Sequence, residues 1–111
     1  MEEMEENPKT EEEVIDLIDN LRDDDPTLDL TNLNITDLQL TEMEFYNVNF
    51  SNSILPRFHI NEIIMYDINL SGTNLINSVM INSELHHVFL RGSNLTSAVI
   101  SHTKIYKTDF R

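Results

Sequence analysis

The 111-residue sequence contains no cysteine and no tryptophan, and only two glycines and three prolines. Without thiols neither a disulfide framework nor a thiolate metal site is available, which accords with a reducing compartment. No stretch of about 18 apolar residues occurs, so no membrane-spanning helix is expected. The amino terminus MEEMEENPKTEEE is acidic where a secretory signal would be basic and then apolar. The expectation is a cytoplasmic protein without membrane association. Basic residues are scarce as well, seven against twenty carboxylates, for a formal charge of −13. That charge is uneven: residues 1–26 hold twelve carboxylates against Lys9 and Arg22, and the remaining 85 residues carry a net of only −3. The chain is an acidic leader on a nearly balanced body, and direct nucleic-acid binding is not expected of it. At this length one small domain is expected, with a core modest enough to need further support.

Residues 1–9 show no apolar pattern and read as a disordered acidic leader. Residues 10–26 read as a helical cap ending at the acidic run before Pro26. Within TEEEVIDLIDNLR a helix is predicted over 11–22, with Thr10 and Glu13 forming a capping box. Val14, Leu17, Ile18 and Leu21 fall at helical spacing on one face, a stripe that needs something to cover.

From Leu30 the chain is apolar at every fifth residue without a break: Leu30, Ile35, Leu40, Phe45 and so on to Ile105 and Phe110. Helices want a period near 3.6 and strands a period of 2, so neither element explains the spacing. A second uncharged series lies two residues earlier, from Leu28 through Ser53, Thr73 and Ser93 to Thr108. Positions two apart in an extended segment point the same way, so both series face inward and the residue between them faces out.

The stretches TNLIN, SNLTS, VNFSN and INLSG carry this pattern most plainly. Residues 28–110 resemble the pentapeptide-repeat family. The resemblance implies an all-β solenoid, a right-handed quadrilateral β-helix of about four coils. Each pentapeptide is one side and twenty residues are one coil, here over 27–111 and closed at its start by the amino-terminal helix. The first two coils depart from the family pattern by placing Leu, Met, Phe or Ile at the inner small position, and are expected to be wider or less regular. Gly72 and Gly92 are the glycines at the second corner position, so most corners must turn without the residue that takes a positive φ freely.

With four sides to a coil, residues twenty apart stack. Side one centres on Leu30, side two on Ile35, side three on Leu40 and side four on Phe45, each repeating every twenty residues. Tyr46, Tyr66, His86 and Tyr106 then form an outward ladder, either a contact strip or a device that stabilises the stack. Ile54, Ile76, Val79, Ile81 and Val99 face outward around sides two and three, where apolar exposure marks an interface. Ile105 and Phe110 close the last coil with no helix after them, making a homodimer through that end a candidate.

The sequence shows no metal-ligand spacing, no phosphate loop, no nucleophile motif and no insertion able to build a pocket, so neither metal, cofactor nor catalysis is expected. The function expected is a non-enzymatic module that binds a protein partner. The alternative implied by the family resemblance is a DNA-mimicking binder or inhibitor of a type II topoisomerase such as DNA gyrase, which needs carboxylates in columns along the rod.

Overall fold

The computed structural model describes residues 10–111; the expected leader at 1–9 lies outside them. One helix, α1 (Glu11–Asp19), precedes seven strands: β1 (Leu28–Asp29), β2 (Gln39–Asn49), β3 (His59–Asn69), β4 (Val79–Ile81), β5 (Glu84–Phe89), β6 (Val99–Ser101) and β7 (Lys104–Tyr106). Every pairing is parallel and every register is twenty residues, from Leu28 opposite Val48 to His86 opposite Tyr106. The second sides align by single bridges in the same register, Asn34 to Ile54 to Asn74 to Asn94. The chain is a right-handed four-sided β-helix of about four turns with one short helix. The large inner residues of the first two coils leave this register intact.

The two long strands are not straight. β2 bends at Glu42 (φ 53°) and Asn47 (φ 56°), and β3 bends at Glu62 (φ 58°) and Asp67 (φ 59°). All sixteen second-corner positions, from Asn32 to Lys107, adopt a positive φ, fourteen of them without glycine. L-residues enter this region at a cost of about 1–2 kcal/mol, which Asn and Asp lessen by local hydrogen bonding. Asn or Asp occupies seven of the fourteen; the others are Glu42, Arg57, Glu62, His87, Ser97, His102 and Lys107. At Gly72 a Cβ would stand 2.6 Å from Asn52 Oδ1, so a larger residue there would have to turn the Asn52 side chain aside as well as adopt the positive φ.

Corners are also prepared from the side that precedes them. The carboxamide oxygens of Asn49, Asn69, Asn74 and Asn94 each accept the backbone N–H two residues on, at 2.9–3.1 Å. This is the local bonding that favours Asn and Asp at turns. It accounts for the Asn at 49, 69, 74 and 94, including those that open the Asn-x-Ser/Thr triplets at 49, 69 and 94. After side two the corner closes with a tight turn bond, as from Phe58 N to Leu55 O and from Ser78 N to Leu75 O, both 3.1 Å.

The interior is the fifth-residue series plus the inner series. Phe45, Phe50, Phe58, Ile60, Ile63 and Met65 have no exposed surface. The buried hydroxyls serve as braces between coils: Ser53 Oγ donates to Leu30 O and accepts the Leu33 amide, and Ser83 Oγ donates to Ile81 O and accepts the Ile63 amide. Such satisfaction is what buried polar groups require.

The helix caps the first coil, as expected, but in a different pose. Its capping box is present, with Thr10 N donating to Glu13 Oε1 and Glu13 N to Thr10 Oγ1. It ends at Asp19 rather than Arg22. Asn20 turns its amide back onto the Asp16 carbonyl, a side-chain bond that competes with helix continuation, and no basic residue steadies the last turn. Val14 and Ile18 are buried against the core with Ile15 and Leu21 beside them, whereas Leu17 is 39% exposed. The covering stripe is therefore rotated from the one predicted, with Ile15 in place of Leu17.

Candidate partner-binding surfaces

No helix among the described residues is long and apolar enough to cross a membrane, and they contain no group of three or more potential metal-binding side chains. A shallow depression of about 460 Å³ beside α1 is lined by Glu12, Glu13, Ile15, Asp16 and Asp19. It offers carboxylates but no nucleophile or base in partnership with them.

The predicted aromatic ladder is present. Ring centroids lie 5.1 Å apart for Tyr46 and Tyr66, 4.7 Å for Tyr66 and His86, and 4.5 Å for His86 and Tyr106, with planes within 23° of parallel. The rings cover one another's faces and turn their edges outward, a geometry forced by side chains of one corner repeating at the spacing of the coils. Acids steady them. The Tyr46 hydroxyl donates to Glu44 Oε2 at 2.5 Å, and this bond pushes the phenol up to about 12. His86 Nε2 lies 3.0 Å from Glu84 Oε1, and His87 Nδ1 lies 3.5 Å from Asp67 Oδ1.

The outward apolar residues divide. Val79 and Val99 are adjacent rungs on side three, and Ile76 and Ile81 flank Val79 at the two corners of its coil. Val99 is 52% exposed, while Ile76, Val79 and Ile81 are half-buried. Ile54 is 46% exposed but stands on side two, one rung below Asn74, and does not share the side-three face. The sequence reading also missed Phe89, which faces outward on side one at 44% exposure; its position between two inward series was the available signal.

Ile105 and Phe110 sit on the last coil at 41% and 42% exposure, beside Ile100. At the same end Asp109 pairs with Arg111, 2.9 Å from carboxylate to guanidinium, and the hydrogen bonds from Arg111 hold the Asp109 carboxyl down at about 2. Between the first two coils Arg57 grips Asp37 through two bonds of 2.6 Å, which lowers the carboxyl.

A family model described as pentapeptide repeats matches eight copies within residues 65–96 and 80–111. No curated protein matches the chain. Among solved structures, QnrB1, a plasmid-mediated fluoroquinolone resistance protein, aligns with a TM-score of 0.55 at 18% identity. The alignment covers 75% of this chain and 53% of QnrB1, so the chain spans about half the length of that structure. The pentapeptide-repeat protein Rfr23 of the cyanobacterium Cyanothece 51142 aligns at a TM-score of 0.46 and 17% identity, over 78% of this chain and 90% of the other. With the matched repeats over residues 65–111 and the same five-residue frame running upstream on one continuous β-helix, this chain is similar to pentapeptide-repeat proteins in repeat pattern and fold.

Proposed function

We propose that the protein is a non-enzymatic module that binds a protein partner through the apolar part of side three. One observation carries the reading: Val79 and Val99 face outward on successive rungs, with Ile76 and Ile81 at the corners beside them. The same column holds Gln39 and His59 in the earlier coils, so the fold accepts a polar residue there and does not itself require valine. Apolar side chains gathered on a flat, rigid face fit a surface that a second protein covers. The reading is tested by pull-down from the native cell with the full chain and with Val79→Glu/Val99→Glu. A partner retained by the wild type and lost by the variant, with thermal unfolding unchanged, is the expected result; equal capture by both sinks the reading.

The second reading is the DNA-mimicking binder of a type II topoisomerase, which rests on the family resemblance and on a fold shared with a fluoroquinolone resistance protein. The charge is distributed against it, since residues 27–89 carry a net of −6 but residues 90–111 carry +3. A supercoiling assay decides it: inhibition or protection at micromolar protein that fades with added salt supports mimicry, and no effect at low salt removes it.

A further inference from the structure

Side four joins three kinds of surface. Its outward midline runs Glu44, Ile64, Glu84, Lys104; its trailing edge is the ladder Tyr46, Tyr66, His86, Tyr106; its leading edge carries Glu42 and Glu62 on successive coils. With Asp67 at the adjoining corner, this face holds five of the seven carboxylates between residues 27 and 89. The other two are engaged elsewhere, Asp29 with Thr31 and Asp37 with Arg57. Ile64 lies half-buried between the tyrosine wall and the glutamate edge.

Folding gains nothing visible from Glu42 and Glu62. Both take a positive φ, where glutamate is costly, and the next coil fills the same position with Asn82, the cheaper residue. They stand one coil apart as like charges, a destabilising arrangement, and neither has a partner among the described residues. An arginine or lysine side chain matches what the face offers. Its aliphatic stem can lie over Ile64 and against the tyrosine edges while its charged head meets Glu42, Glu44 and Glu62. Lys104 and Lys107 at the far end of the ladder repel such a guest and confine it to the first two coils.

We propose that side four, between Glu42 and Asp67, binds an arginine-bearing segment of another protein. This rests on the protein-binding reading but uses a different face from the valines of side three. The test uses the full chain and a fluorescein-labelled nona-arginine peptide, read by anisotropy at fixed salt. Replacing the face carboxylates by Glu42→Asn, Glu44→Gln and Glu62→Asn should weaken binding at least tenfold without lowering the melting temperature. The control triple Glu12→Gln, Asp16→Asn and Asp19→Asn removes the same charge from α1 and should weaken it less than threefold. Ile64→Ser should weaken binding threefold or more, and Val79→Ser/Val99→Ser should leave it unchanged. A face triple that loses less than three times what the helix triple loses reduces the attraction to net charge and overturns the proposal, as does an Ile64→Ser variant that binds like the wild type.

Discussion

Ser78 shows how closely this fold depends on the partners of single atoms. Thr73, Ser93, Thr103 and Thr108 donate inner hydroxyls to the carbonyl twenty-three residues back, at 2.5–3.5 Å, and Ser53 does the same. For Ser78 that carbonyl is Leu55 O, which already accepts the turn bond from Phe58 N; the Ser78 hydroxyl is fully buried and has no partner among the described residues. A buried, unsatisfied hydroxyl costs about 1–3 kcal/mol. Ser78→Ala should therefore raise unfolding stability by ~1 kcal/mol in urea, with an unchanged denaturant slope; a loss of stability would show that the hydroxyl has a partner after all. Tyr46 provides a second residue-scale check. Its phenol titrates near 12 because the protonated form donates to Glu44. A group raised in the fold stabilises it fully below the unfolded value near 10 and loses that contribution as pH rises through 12. Ultraviolet titration should place the Tyr46 phenol near 12, and Glu44→Gln should bring it down toward the unfolded value near 10.

The elements were legible in the sequence to the extent that side chains announce them. The five-residue frame needs only the apolar centres; the columns, the ladder and the twenty-residue stack follow from it once the resemblance to pentapeptide-repeat proteins supplies four sides to a coil. The left-handed corners were less legible because only Gly72 and Gly92 advertise them openly, although Asn and Asp at 32, 37, 47, 52, 67, 77 and 82 carried the same message. The helix was found through its capping box and lost its last turn to Asn20, whose bond to the Asp16 carbonyl has no periodic signature. Its rotation has a measurable consequence. Ile18→Asp, which puts a charge into the buried contact with the first coil, should cost at least ~3 kcal/mol, whereas Leu17→Asp at the exposed position should change stability by less than about 0.5 kcal/mol. Equal losses at the two sites would mean that the helix docks with the face the sequence pattern suggested. The candidate surfaces were legible as columns but not as areas, since periodicity tells which residues face out and not how far their neighbours cover them. Ile76, Val79 and Ile81 are half covered for that reason.

For the whole molecule, the distribution of charge along the axis sets what each end attracts, negative at the helix and positive at the last coil. Association of two copies across Ile105 and Phe110 is a proposal of the same scale. Sedimentation equilibrium at tens of micromolar should show a dimer that Phe110→Lys returns to monomer, and a monomer in both cases ends it. The uniform register has a mechanical meaning as well. Each coil is bonded only to the coils next to it, so tension applied to the two termini loads the bonds of one turn at a time instead of shearing many strands together. Extension under force then comes in equal steps, each releasing twenty residues, or about 6 nm of chain at ~3.3 Å per residue less the rise of one coil. The molecule yields like a spring uncoiling from its end, one turn per event.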